Sequence, residues 1–174
     1  GISVIKISPK LDAGDILYQE SLKISEDMYS DELTSALTNL GKRTMLEVLP
    51  IIFEKNISSN KQDSKKVTYA KKFTSNDRKI NFNNSTTQVY NHIRAHGPKP
   101  GSWFVYRGER IKILKATKHK DKGQQSTILN NKFMLACNDG SILPTLIQRE
   151  GKKAVEVKDF IKGFTFIVND KINA

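Results

Sequence analysis

Residues 102–118, Ser102-Trp103-Phe104-Val105-Tyr106-Arg107-Gly108-Glu109-Arg110-Ile111-Lys112-Ile113-Leu114-Lys115-Ala116-Thr117-Lys118, decide how this chain is read. Two runs rich in aromatic and β-branched residues, 102–106 and 111–118, flank the turn Arg107-Gly108-Glu109 and predict a hairpin. A pleated strand sends successive side chains to opposite faces. In the second arm, Ile111 and Ile113 therefore share one face, while Arg110 and Lys112 make the other face cationic. Further short strands are predicted at about 125–129, 132–137 and 142–148, with turns at Lys120 to Gly123, Asn130-Asn131 and Asn138-Asp139-Gly140. Strands recurring at this spacing suggest a small barrel or sandwich. A short helix over Val157 to Lys162 and a closing strand over Phe164 to Val168 complete the pattern.

Upstream, Gly97-Pro98-Lys99-Pro100-Gly101 breaks the chain, and before it Ser85 caps a helix over 86–96 with Val89, Ile93 and Tyr90 facing inward. Val67 to Ile80 reads as an extended linker, and residues 56–66 as a polar, aperiodic surface connection. Ser30 starts a long helix, with Asp31 and Glu32 favourably placed in its first turn. Leu33, Leu37, Leu40, Thr44, Val48 and Ile52 form its apolar stripe, Met45 and Leu49 widen it, and Pro50 kinks or stops the helix before about Lys55. The N-terminal residues read as a β-loop-β unit, 2–7 and 16–24, whose loop displays Asp12 and Asp15.

A chain of 174 residues holds one or two small domains. No apolar run approaches the roughly 18 residues of a membrane helix. Cys137 is the only cysteine, so no intrachain disulfide forms; it sits in a predicted strand as core filling, and a reducing compartment fits. The sequence opens without Met inside strand-like residues, so its start is expected to be a cleavage point or a truncation. The charge is uneven: residues 1–66 carry nine Lys/Arg and ten Asp/Glu, whereas residues 67–174 carry 20 and 8. That excess suggests a phosphate-bearing partner, the alternative being a soluble basic protein from a Lys-rich proteome. Glycine-rich nucleotide loops and the Gly-x-Ser-x-Gly elbow are missing. His92 and His96 are four residues apart, but no nearby third ligand joins them, so no metal site is expected. By spacing alone, Asp12 and Asp15 read as turn-capping carboxylates or as a cation site.

The stretch Gly1-Ile2-Ser3-Val4 followed by Leu11-Asp12-Ala13-Gly14-Asp15-Ile16-Leu17 resembles the folate-dependent formyltransferases, whose pattern is Gly-(Val/Ile)-(Thr/Ser)-(Ile/Val) and then Leu-Asp-(Thr/Ala)-Gly-Asp-(Ile/Met)-Leu. Three more matches resemble the methionyl-tRNA formyltransferase branch. They are Val67-Thr68-Tyr69-Ala70-Lys71-Lys72-Phe73, Ile93-Arg94-Ala95-His96-Gly97-Pro98-Lys99-Pro100-Gly101-Ser102-Trp103, and Gly151-Lys152-Lys153-Ala154. His96 and Gly97 depart from the family pattern, which has Phe at the first of these places.

The resemblance implies an α/β fragment, the end of a Rossmann-like formyltransferase domain, over 1–66, a linker over 67–84, and a β-rich OB-type barrel over 85–174. It implies formyl transfer from 10-formyltetrahydrofolate to the amino group of initiator methionyl-tRNA, with no metal. In such chemistry the amine attacks the formyl carbon, and a His with an Asn supports the oxyanion. Asp12 matches the catalytic aspartate that orients the amine and helps relay its proton. The backbone of Ser8, Pro9, Lys10, Leu11 and Asp12 would line the pterin pocket, and Asp15 would bond loop amides. Lys72 matches a linker lysine that faces tRNA; Arg110, Lys112, Lys115, Lys152 and Lys153 are the other expected phosphate contacts. The family's His, Asn and Ser-Leu-Leu-Pro segment lie before the part matching Gly1, so this chain alone is expected to be inactive. A cytoplasmic monomer is expected. The alternatives are a formyltransferase acting on a sugar or a nucleotide, and a non-catalytic nucleic-acid-binding OB module.

Overall fold

The structure is a computed structural model, and it describes residues 1–54 and 57–173. The chain divides into two compact units: Gly1–Met28 with Glu32–Lys72, and Tyr29–Asp31 with Phe73–Ala174.

In the first unit, β1 (Ile2–Ile5) pairs antiparallel with β2 (Ile16–Glu20), with Val4 opposite Tyr18. Both strands are shorter than the periodicity suggests. After Lys6, whose N–H bonds the Asp15 carbonyl at 2.9 Å, the chain leaves the ladder to form the loop. At the other end, the Glu20 carboxylate turns to the long helix, accepting from the Thr44 hydroxyl at 2.8 Å and pairing with Arg43. Residues 57–63 are more than a surface connection, because Asn60 and Ile16 exchange backbone hydrogen bonds at 2.8 and 2.9 Å.

Helix α1 (Ser30–Phe53) buries Leu40, Thr44 and Val48, as the stripe predicts. Met45 and Leu49 do not widen that stripe; both are exposed. Pro50 does not stop the helix, which runs three residues further, and the Glu54 N–H bonds the Pro50 carbonyl at 3.0 Å. The expected end near Lys55 lies outside the described residues.

In the second unit, α2 (Thr86–His96) begins with a capping box: Ser85 accepts from the Gln88 N–H, and Gln88 accepts from the Ser85 N–H. The sheet contains β3 (Ser102–Tyr106), β4 (Glu109–His119), β5 (Leu135–Ala136), β6 (Ser141–Arg149) and β7 (Val155–Glu156), followed by α3 (Val157–Gly163). Its order is β3-β4-β6-β5, and β7 pairs with β6. All named pairings are antiparallel. The expected strand at 125–129 reduces to single bridges at Thr127 and Ile128. The strand at 132–137 shrinks to β5. Residues 164–168 form no strand, because Phe164 and Phe166 pack against Phe133 with ring centroids 6.1 and 4.9 Å away. Ile80 and Phe82, assigned to the linker by sequence, belong to the core.

The β4–β6 ladder carries two matched irregularities. Ile113 faces Ile147, Lys115 faces Leu146 and Ala116 faces Pro144, so Leu114 is extra on β4 and Thr145 is extra on β6. Both strands change their in-out phase at the same level. Ile111 and Ile113 point inward before the bulge, and Ala116 does so after it. Lys115 thus stays outside, although strict alternation would place it with the two isoleucines. Leu114 sits against Gly101, where an added Cβ would lie 2.6 Å from its Cδ2. Beyond β3, the Tyr29 hydroxyl bonds both the N–H and the carbonyl of Ala116, at 3.0 and 3.3 Å, in place of a neighbouring strand.

Candidate functional site

Two sets of candidate residues lie in different units, and each is described by itself. The first is the β1–β2 loop. Asp12 sits exposed at its tip with φ 49°, in the left-handed region. Gly14 closes the loop where only glycine fits, since an added Cβ would lie 1.7 Å from the Lys6 carbonyl oxygen. The Gln62 amide braces the loop by donating to the carbonyls of Asp12 and Gly14 at 2.8 and 2.6 Å. The Ser8 hydroxyl donates to the Lys10 carbonyl at 2.8 Å. Asp15 accepts from the Ser59 hydroxyl at 3.1 Å. Among the described residues, the backbone N–H groups of Lys10, Leu11 and Asp12 donate to no protein group. Leu11 stands 87% exposed beside them, and Pro9 and Lys10 are also exposed. The bracing by Gln62 and Ser59 was missed in the sequence because its donors lie over forty residues from the loop.

The second set lies on β3, β4 and β6. Residues directly opposite on antiparallel strands share a face. Trp103 faces Lys112, Val105 faces Arg110, and Gln148 faces Lys112 from the other side. The Arg110 guanidinium stacks 4.2 Å from the centre of the Trp103 ring. Arg78 joins them from a 3-10 turn, Asn76–Arg78. That turn is tied to the tryptophan, whose indole N–H donates to the Ser75 carbonyl at 2.9 Å, while the Ile80 N–H bonds the Trp103 carbonyl at 2.7 Å. Arg78, Trp103, Arg110, Lys112 and Gln148 line a pocket of about 190 Å³, together with Arg149, Glu150 and Gly151.

Two of the acids nearby, Asp77 and Glu109, are engaged. Asp77 accepts from the N–H and hydroxyl of Thr74, which hold its carboxyl below its ordinary range. Glu109 takes a two-pronged bond from Arg149 at 2.7 and 2.9 Å. Arg110 and Lys112 are half-buried, as is Arg78. Lys115 is exposed, its ammonium 5.7 Å from the Tyr29 ring centre. Lys152 and Lys153 lie exposed between β6 and β7, and Lys72 is exposed at the end of the first unit. The fold therefore gathers Arg110 and Lys112 at one pocket and leaves Lys115, Lys152 and Lys153 outside its lining. Arg78, Trp103 and Gln148 were missed. Extending the hairpin register from its tight turn finds Trp103, but Arg78 reaches the site only through tertiary contacts.

His92 and His96 pack together, 4.9 Å between ring centres, with Phe73 against His96 at 4.7 Å. Burial, then the charges of His92 and Arg78, push the His96 pKa below its ordinary 6.5. Among the described residues no group of three or more His, Cys, Asp and Glu side chains is arranged to hold a metal, and no helix is long and apolar enough to cross a membrane.

Residues 72–165 match the family described as formyl transferase, C-terminal domain, and the chain belongs to that family. Within it, the chain is 34% identical over 179 residues to a methionyl-tRNA formyltransferase of Lactobacillus johnsonii, covering 99% of this chain and 57% of that protein. It thus spans a little over half the length of such curated relatives. HypX from Aquifex aeolicus, solved with tetrahydrofolic acid, superposes with a TM-score of 0.70 at 16% identity, over 91% of this chain and 29% of the other. An N-formyltransferase from Helicobacter canadensis, solved with folinic acid and dTDP-3-aminofucose, gives 0.65 at 21%, over 84% and 54%.

Proposed function

We propose that this chain serves a methionyl-tRNA formyltransferase, which moves the formyl group of 10-formyltetrahydrofolate onto the amino group of initiator methionyl-tRNA. In this reading the first unit is the end of a Rossmann-like catalytic domain, and the curled sheet of the second is an OB-type barrel that binds tRNA. One observation carries the choice of acceptor: similarity over 99% of this chain to a methionyl-tRNA formyltransferase, of which it covers 57%, in a chain whose last 108 residues hold 20 basic and 8 acidic side chains. A sugar acceptor has no need of such a cationic surface, and a purely binding module has no need of the Leu11 to Asp15 loop.

The loop chemistry suits a pterin. Its uncommitted amides from Lys10 to Asp12 offer donors to a flat hydrogen-bonding edge, and exposed Leu11 offers an apolar surface. The folate supplies the formyl group when bound. The chain's own contribution is to hold Asp12 at the tip of a braced turn. There its carboxylate orients the attacking amine and takes up or relays the proton that the amine sheds. Arg110, Lys112, Lys115, Lys152, Lys153 and Lys72 contribute electrostatic hold on the tRNA.

The test is Asp12→Asn in the complete enzyme, assayed for formyl transfer with charged initiator tRNA. The expected result is a fall of about 10²–10⁴ in turnover with tRNA affinity nearly unchanged. Near-normal turnover removes Asp12 from the mechanism.

A further inference from the structure

Of the surface cations, three differ from the rest. Arg78, Arg110 and Lys112 are half-buried, and none has an ion-pair partner among the described residues. Bringing like charges together in a partly dry site is unfavourable unless an anion joins them. The neighbouring carboxylates do not fill that role: Asp77 is held by Thr74 and Glu109 by Arg149, and Glu150, which lines the pocket, forms no ion pair among the described residues.

The pocket is also built rather than assembled from mobile side chains. Arg110 sits over the Trp103 ring, 4.2 Å from its centre, and with no ion-pair partner among the described residues its planar fork of N–H donors is open to two-pronged bonding. The backbone carrying Arg78 is tied to the same tryptophan on both sides, through Ser75 and Ile80.

We infer that Arg78, Arg110 and Lys112 form a socket for one phosphodiester of an RNA strand, with Trp103 as its wall. A tetrahedral oxyanion with several acceptor oxygens matches two planar forks and an ammonium. The exposed Lys115, Lys152 and Lys153 continue the positive charge past the pocket, which favours a polymer over an isolated anion. This rests on the tRNA-binding reading above and deepens it: one phosphate is gripped by Arg78, Arg110 and Lys112, and the other lysines act through the general field.

Trp103 is the only tryptophan, so its emission reads this pocket. The experiment titrates the 174-residue chain with tRNA at several salt concentrations while following that emission. The expected result is a saturable change. Arg78→Gln and Lys112→Gln each lower the slope of log affinity against log salt by about one, while Lys132→Gln leaves it as it was. Inorganic phosphate produces the same emission change only at far higher concentration. If tRNA binds with Trp103 emission unmoved and both slopes intact, the socket is overturned and the broader tRNA reading stands. If inorganic phosphate saturates the signal as tightly as tRNA does, the pocket serves a small anion and the RNA assignment is overturned. If tRNA does not bind at all, the function proposed above fails and the socket with it. Thermal midpoints close to that of the unaltered chain confirm that the variants remain folded.

Discussion

The two units of this chain treat apolar residues in opposite ways. The second buries a continuous core in which Phe133 alone meets Phe104, Phe160, Phe164 and Phe166. In the first, Leu40 and Val48 are the only buried aliphatic side chains among the described residues, while Ile7, Leu46 and Phe53 are largely exposed. Stability drawn from packing is thus concentrated in the unit with the charge excess. The unit holding the candidate catalytic aspartate relies on a hairpin, a helix stripe and a few polar braces. A rigid sheet can present cations at fixed spacing, and the packed second unit supplies one.

Four measurements sharpen or break this contrast. Phe133→Ala should cost about 3–5 kcal/mol in denaturant unfolding, because the four surrounding rings cannot close the gap; a loss below 1 kcal/mol would show the core to be loosely packed. Cys137 is buried, which pushes its thiol up to about 12, with the Asp139 charge adding to the effect. At pH 8 it should react with a disulfide reagent roughly three orders of magnitude more slowly than in the unfolded chain. Fast labelling of native protein would mean that the second unit opens readily.

The third measurement concerns His96. Its folded pKa lies below 6.5, so as pH falls through 6.5 the unfolded chain takes up the proton first. Stability from this group is complete above that value and declines as pH drops from it toward the lower folded value. His96→Phe, which restores the residue of the resembled family, should flatten that part of the stability profile; an unchanged profile would assign the pH dependence elsewhere. Last, Leu46→Ser in the first unit should change stability by no more than about 0.5 kcal/mol, since the side chain is 77% exposed. A large effect would reveal packing that the exposure does not suggest.

Elements defined by local rules were legible in the sequence. The 102–118 hairpin announces itself through the turn at Arg107-Gly108-Glu109, the second helix through Ser85, and the long helix through its stripe. What was not legible depends on distant partners. Phe164 and Phe166 look like strand residues but are held by rings across the core. Asn60 pairs with Ile16 because the fold brings it there, not because its neighbours favour a strand. The candidate site divides the same way: alternation places Arg110 and Lys112 on one face, whereas Arg78 arrives only because its segment docks on Trp103. Lys115 reaches the outer face by way of the bulge, which alternation alone does not anticipate.

That bulge has a bearing on how the strands tolerate shortening. Leu114 and Thr145 are supernumerary on facing strands, one on each, so the ladder balances like a book with one unnumbered leaf in each half. Excising both would let Ile113, Lys115 and Ala116 meet Ile147, Leu146 and Pro144 consecutively, with every existing partnership kept. Removing either alone would leave the two strands miscounting each other by one.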